Sequence, residues 1–202
     1  MLVSKEKLSN NHSTNCMWDG YKTILFISLL IMQAVFSMAV NAQPEFAEEY
    51  QIKAGYLRHL GKFIQWPSDV FPSDDAPLVL CLLGDSPFSN DVVTALNNKR
   101  VRQRQLQVVQ MQTISQRSVQ CHILFVSRSE EGRLAAILDW VDSRPILTVS
   151  DINNFAQRKG MIEMSIEEQK IALIIYLPAI KSSNFIVNSQ LLSLSTIIKD
   201  SE

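Results

Sequence analysis

The 202-residue chain has almost balanced charge, with 19 Lys and Arg residues against 20 Asp and Glu, and 47% of its residues are hydrophobic. This balance excludes the strongly basic surface that nucleic-acid-binding proteins present to phosphates. The sequence also lacks the glycine-rich nucleotide-phosphate loops and the G-x-S-x-G nucleophile elbow. The composition predicts a globular protein that is long enough to bury a sizeable core.

The first 42 residues predict a secretory signal. Three lysines precede an apolar run over 23–40, and residues 40–42 have the small or modest side chains that a signal peptidase requires. We therefore predict cleavage after Ala42 and a location in the periplasm. A start at Met17 would give a signal of more ordinary length. The alternative is a membrane anchor, because about 18 apolar residues are near the shortest helix that spans a hydrocarbon core.

Cleavage would leave one domain over 43–202 with a net charge of −2. It would also remove Cys16 and leave two cysteines, Cys81 and Cys121, in an oxidising compartment. Both lie in apolar stretches that are typical of strands. The residues alone leave two alternatives open, a disulfide or two buried thiols that pack as small hydrophobic groups.

The mature chain is predicted to begin with an amphipathic helix that ends before Pro67. Its apolar stripe at three- and four-residue spacing consists of Phe46, Tyr50, Leu57, Leu60 and Ile64. The later predicted elements are strand 78–83, helix 90–96, strands 106–111 and 122–126, helix 130–141, strand 146–149, strands 161–166 and 170–177, and helix 189–198. This order predicts an α/β fold with a mainly parallel sheet, helices on both faces, and a C-terminal β-hairpin and helix.

Polar side chains follow three of the predicted parallel strands, where ligands gather in doubly wound sheets. Asp85, Phe88, Arg128 and Asp151 are therefore our candidates for a ligand crevice. The alternative is structural, since Asp and Ser commonly cap helices and form turns at these positions.

The sequence predicts no catalytic group, metal site or cofactor. Cys121 and His122 are adjacent on a predicted strand, so their side chains point to opposite faces and cannot easily share an ion. We expect His122 to be a partly buried strand residue. Trp66 lies at the end of an element, where it either packs into the core or anchors a partner.

Several segments in order resemble one family. They are YQIKAGYL at 50–57, KFIQWP at 62–67, LCLLGDSPF at 80–88, CHILFVSRSE at 121–130, ILTVSD at 146–151 and SQLL at 189–192. Together they resemble the YfiR family of periplasmic proteins over nearly all of the mature chain. The resemblance implies a regulatory protein and a disulfide between Cys81 and Cys121.

The resemblance also implies a partner and an output. Such proteins bind the periplasmic sensor region of an inner-membrane diguanylate cyclase and repress it, which lowers cyclic-di-GMP and biofilm formation, and an outer-membrane lipoprotein can relieve the repression. We expect the contact surface to include Tyr56, Lys62, Trp66 and Glu163; the alternative is that all four are structural. Three alternatives stay open: a different membrane sensor such as a histidine kinase, a small-ligand binding module, and homodimer formation.

The sequence departs from the family pattern in its C-terminal third. A second cysteine pair that some members have is absent, and Lys159 replaces the first of two usual glycines before Met161. Tyr176 stands where an Asn is usual, and Asn188 replaces the first residue of a Ser-Ser pair. These changes bear on partner contacts in that region more than on the fold.

Overall fold

The computed structural model describes residues 43–114, 120–142, 144–168 and 170–199. The predicted signal segment, its cleavage site and its start therefore lie outside the described residues. Helix α1 spans Gln43–Phe63 and runs directly into the short strand β1 (Ile64–Gln65) before Pro67. As predicted, Tyr50, Leu57, Leu60 and Ile64 are buried, whereas the side chain of Phe46 lies outside the described part.

The remaining elements follow in chain order. They are β2 (Leu78–Leu83), α2 (Asn90–Asn97), β3 (Arg100–Val101), β4 (Arg104–Met111), β5 (Ile123–Val126), a 3-10 segment (Arg128–Arg133), α3 (Leu134–Val141), β6 (Leu147–Ser150), β7 (Ile162–Glu167), β8 (Lys170–Tyr176), α4 (Leu177–Ser182), β9 (Ile186–Val187), α5 (Ser189–Ser193) and β10 (Thr196–Ile198).

Eight of these strands form one sheet in the order β10-β8-β7-β6-β5-β2-β4-β3. Neighbouring strands are parallel except in the β3–β4 and β7–β8 pairs. The predicted α/β class and the predicted β7–β8 hairpin are therefore confirmed. Strands β1 and β9 form a separate antiparallel pair that joins the end of α1 to the C-terminal region.

Strand β2 shows why the sheet is covered on both faces. All six of its residues are buried, and alternate side chains belong to two different apolar clusters. Leu80 and Leu82 pack with α1, while Cys81 and Leu83 pack with α3. Residues 47–202 form one compact unit. Within the described ranges, no helix has the length and hydrophobicity needed to cross a membrane.

The C-terminal region corrects two sequence predictions. The predicted helix over 189–198 is wrong after Ser193, because Thr196–Ile198 instead forms β10 and pairs in parallel with β8. These three residues are β-branched, which favours a strand. The strand predicted over 170–177 ends one residue earlier, at Tyr176, and helix α4 begins at Leu177. Pro178 lies in the first turn of this helix, where its fixed φ is favourable.

The disulfide links strand β2 to the segment just before β5, its parallel neighbour in the sheet. Cys81 lies in β2 and Cys121 lies just before β5, with 5.7 Å between their Cα atoms, and their sulfur atoms are bonded. Both sulfurs lie on the α3 face of the sheet, in the apolar cluster that also contains Leu83.

The departure at Lys159 coincides with an unusual backbone conformation. Lys159 has a φ of +75°, in the left-handed region that glycine adopts without a steric penalty. This conformation gives a physical reason for the glycine that the family usually has there.

Candidate functional site

A buried ionic cluster occupies the carboxyl end of β6. The carboxylate of Asp151 accepts hydrogen bonds from Lys53 Nζ and from the Tyr50 hydroxyl, both at 2.6 Å from Oδ2. Lys53 also pairs with Glu49 one helical turn away, and Arg128 Nε lies 3.4 Å from the same Oδ2. Burial raises the pKa of Tyr50 well above its ordinary value, and the bond to Asp151 raises it further. The cluster thus holds α1 against the strand ends.

The other two candidates for a ligand crevice, Asp85 and Phe88, lie in the loop that follows β2. Phe88 is buried between Tyr50 and Phe125, with ring centroids at 5.4 and 5.0 Å in edge-to-face contacts. Asp85 is exposed, and its backbone N–H donates to Ser129 Oγ at 2.9 Å. A crevice formed by Asp85, Phe88, Arg128 and Asp151 stays a prediction. The contacts favour a structural role for Phe88 and Asp151.

An apolar groove lies where α1 faces β8 and the segment around α5. We call it the α1 groove; its volume is about 680 Å³, and it is lined by Gln51, Ile52, Gly55, Tyr56, His59, Leu60, Phe63, Ile171, Leu173, Leu191 and Leu194. Not one of these residues is an Asp, Glu, Lys or Arg. Ile52 and Leu194 are 50% and 74% exposed. Contiguous exposed apolar surface of this kind commonly marks an interaction site.

The groove depends on a second apolar stripe along α1. Ile52, Tyr56, His59 and Phe63 recur at spacings of four, three and four residues, so they share one face of the helix. The buried stripe that begins at Tyr50 lies on a different face. The stripe predicted from the sequence is the buried one, and the second stripe is the signal that would have revealed the groove.

The four residues predicted to contact a partner lie in different surroundings. Tyr56 lines the α1 groove, and its hydroxyl donates to the Ile171 carbonyl at 3.4 Å. Lys62 is exposed at the end of α1. Glu163 is buried, and its carboxylate accepts the backbone N–H groups of Asn154 and Ala156, both at 3.1 Å. These contacts favour a structural role for Glu163.

Trp66 and His122 belong to one aromatic cluster. The indole N–H of Trp66 donates to the His122 carbonyl at 3.3 Å, and its ring packs edge-on against Phe71 and Phe185. The His122 ring stacks on Phe71 at 4.4 Å, and its Nδ1 accepts the Val79 N–H. Burial, aided by the charge of Arg104, lowers the pKa of His122 to about 4. A buried, neutral imidazole is therefore part of the core.

The described residues contain no group of three or more His, Cys, Asp or Glu side chains that could hold a metal ion. The fold and the groove define a disulfide-containing α/β domain with an exposed apolar groove along its first helix. A family model described as YfiR/HmsC-like matches residues 50–196, so the chain belongs to this family of regulatory proteins. The resemblance seen in the sequence is confirmed. No curated protein matches the chain.

Proposed function

We propose that this protein is a periplasmic regulator that binds the sensor region of an inner-membrane diguanylate cyclase and holds the cyclase inactive. Family membership supports the regulatory role. The observation that carries the proposed binding mode is the α1 groove, which exposes apolar side chains and has no charged lining residue. Release of the regulator would raise cyclic-di-GMP and biofilm formation, and an outer-membrane lipoprotein that binds the regulator would have the same effect.

The groove favours a partner segment with apolar or aromatic side chains. Charged partner side chains would lose water on entering the groove without gaining an ion pair from the residues that line it. An amphipathic helix meets this requirement, because its apolar face can lie along the stripe of Ile52, Tyr56 and Phe63. The exposed Lys62 at the end of α1 would then lie at the rim, where a charge affects the rate of association more than the affinity.

Repression by binding requires a preference for the inactive state of the cyclase. To move the cyclase from mostly active to mostly inactive, the regulator must bind the inactive state more tightly by about 5.5 kcal/mol. Burial of the exposed parts of Ile52 and Leu194 contributes about 1 kcal/mol each. Two such side chains supply less than this preference even if only the inactive state buries them, so the proposed interface also includes the groove residues Tyr56 and Phe63.

The experiment compares two matched substitutions in a host strain whose own copy of the gene is deleted. Ile52→Glu places a charge in the groove, and Ile186→Glu places one on an exposed isoleucine of β9 that does not line it. We expect the deletion to raise cyclic-di-GMP, wild type and Ile186→Glu to restore repression, and Ile52→Glu to leave cyclic-di-GMP high. A tagged wild-type protein should co-purify with a membrane cyclase, and Ile52→Glu should not.

Two results would contradict the proposal. One is an unchanged level of cyclic-di-GMP in the deletion strain, which would remove the regulatory role in this pathway. The other is equal repression by Ile52→Glu and Ile186→Glu, which would remove the groove as the contact surface. Co-purification with a sensor kinase instead of a cyclase would transfer the same binding mode to a different output.

A further inference from the structure

Basic side chains gather where the end of α1 meets β3. Two of them, Arg58 and Lys62, lie one turn apart on α1, and the other three, Lys99, Arg100 and Arg102, lie in β3 or directly beside it. We call these five residues the basic patch. Arg58 is half-buried, and the other four side chains are exposed.

Close packing of α1 against β3 brings the two parts of the basic patch together. A Cβ at Gly61 would lie 2.8 Å from a methyl group of Val101, so glycine at this position permits the close approach. The side chain of Arg102 then reaches the helix, where its Nη2 donates to the Lys62 carbonyl at 2.8 Å. The exposed cations of the helix end and of the strand therefore share one surface.

The basic patch carries an uncompensated positive charge. Arg58 and Lys99 line one depression between α1 and α2 together with Asp91, and Asp74 lines a pocket beside Arg102. Within the described residues, however, no ion pair joins a member of the patch to a carboxylate.

The charge of the basic patch is opposite to that of the domain as a whole, because residues 43–202 have a net charge of −2. At physiological ionic strength, salt screens exposed charges over about 8 Å. A surface that approaches the patch therefore responds mainly to the local cations, and the acidic remainder of the domain has little effect on it.

The basic patch lacks the apolar centre that a protein interface usually has. The large hydrophobic side chains that are exposed in the described ranges are Ile52, Ile166, Ile186 and Leu194, and none of them lies within 58–62 or 99–102. Protein interfaces typically place charges at the rim of an apolar core. A layer of anionic lipid headgroups requires only positive charge, so the composition of the patch favours a lipid surface.

We infer that the basic patch binds the surface of a membrane that contains anionic phospholipids. Its lysine and arginine side chains donate charge-assisted hydrogen bonds to phosphate groups. Arg58 and Lys62 lie on a different face of α1 from the groove stripe of Ile52, Tyr56 and Phe63. A domain bound to lipid through the patch therefore leaves the α1 groove open to a protein.

This inference goes beyond the proposed regulatory role and does not require a cyclase. If both hold, the membrane concentrates the regulator at the surface from which the sensor region of its target emerges. Two weak contacts, one with lipid and one with protein, then act together, and the effective affinity exceeds that of either contact alone.

The test measures co-sedimentation of the exported, disulfide-bonded protein with vesicles. Mass spectrometry checks its N-terminus, because an uncleaved apolar segment would itself bind lipid. Vesicles of phosphatidylcholine alone are compared with vesicles that contain about one-third phosphatidylglycerol, and we expect about tenfold or more tighter binding to the anionic vesicles. Most of this binding should be lost at about 0.5 M salt, where charges are screened over a shorter distance.

Two pairs of substitutions within the basic patch should have equal effects. Arg100→Gln/Arg102→Gln removes two charges from the strand, and Lys62→Gln/Lys99→Gln removes two that make no side-chain hydrogen bond within the described part of the chain. Each basic residue near an anionic surface strengthens binding about fivefold, so each pair should weaken it about tenfold or more. The second pair keeps the test valid if the loss of the Arg102 bond disturbs the fold.

The matched control removes two exposed lysines far from the basic patch. Lys170→Gln/Lys181→Gln lies in β8 and α4, near the opposite edge of the sheet from β3, and should change binding less than about twofold. All variants share the same N-terminus, so any contribution from that segment cancels in the comparison.

Three results would overturn the inference: equal binding to the two kinds of vesicle, equal weakening by the control pair and the patch pairs, or absence of vesicle binding. If vesicles are not bound and the patch pairs instead abolish co-purification with a membrane protein, the patch is a protein contact. The proposed repression is measured by cyclic-di-GMP in cells, so either hypothesis can fail while the other stands.

Discussion

Lys53 and Asp151 are 98 residues apart in the chain, yet Lys53 Nζ lies 2.6 Å from Asp151 Oδ2, and both side chains are buried. Lys53 belongs to α1, and Asp151 follows β6. The pair therefore fixes the position of the helix that carries the groove. Tyr50 shares the same carboxylate oxygen, which keeps the acceptor occupied on two sides.

Removal of either charge should destabilise the protein strongly. Lys53→Met leaves the Asp151 carboxylate buried without its ammonium partner, which costs about 3–5 kcal/mol. The measurement is urea unfolding at neutral pH. Arg128→Gln is the control, because the Arg128 side chain is 56% exposed and its loss should cost less than about 1 kcal/mol. Equal effects of the two substitutions would show that the buried pair has no special role.

Stability should fall in mild acid because of His122. The folded protein holds the pKa of His122 near 4 against an ordinary 6.5, so between these values the unfolded chain binds a proton that the folded chain does not. The free energy of unfolding is therefore unaffected by His122 above about pH 6.5. It falls as the pH drops from 6.5 toward 4, and the total loss linked to His122 is at most about 3 kcal/mol.

The measurement is the free energy of unfolding as a function of pH, for wild type and His122→Asn. Asn can still accept the Val79 N–H but does not titrate. We expect a shallower slope between pH 4 and 6.5 in the variant, and the difference between the two slopes removes the contribution of the carboxylates. Parallel slopes would mean that His122 has the same pKa in the folded and unfolded states.

Reduction of the disulfide should lower the melting temperature. Cys81 and Cys121 close a separation of 40 residues, and the chain-entropy model assigns about 4 kcal/mol to a loop of that length. The check is thermal melting of the protein with and without reductant. Cys81→Ala/Cys121→Ala should melt at the lower temperature in both conditions, and any effect of reductant on that variant would indicate a cause other than the disulfide.

Substitution of Lys159 by glycine should stabilise the protein. The backbone at Lys159 has a φ of +75°, so Lys159→Gly relieves strain of about 1 kcal/mol, less the extra freedom that glycine gains in the unfolded chain. The measurement is the urea midpoint. Lys181→Gly is the control, because Lys181 lies in α4, where glycine costs about 1 kcal/mol. A lower urea midpoint for Lys159→Gly than for the wild-type protein would contradict backbone strain at Lys159.

The parallel sheet was predictable because its strands carry an unusually clear signal. LVLCLL has no polar residue on either face, which is typical of a strand covered on both sides. The C-terminal elements were less predictable. Residues 189–198 contain enough leucines for a helical pattern, but Thr196–Ile198 pairs with β8, and this long-range pairing overrides the local pattern.

The residues of the candidate sites were also only partly predictable from the sequence. Asp151 was found because it follows a predicted strand, but its partner Lys53 could not be assigned, since a lysine on a helix normally faces water. Trp66 and Glu163 were predicted to contact a partner because of their residue type and the family resemblance, and neither criterion indicates whether a side chain is buried. The α1 groove needed both the second stripe of α1 and the positions of Leu191 and Leu194, which only the tertiary structure supplies.

The α1 groove is assembled from the two ends of the domain. One wall comes from residues 51–63 and the other from residues 171–194. In the proposed export, the first wall would reach the periplasm before the second, so a partly translocated chain would lack the groove. A chain truncated before residue 171 would keep the first wall and lose the second, so it could not form the proposed contact surface at all.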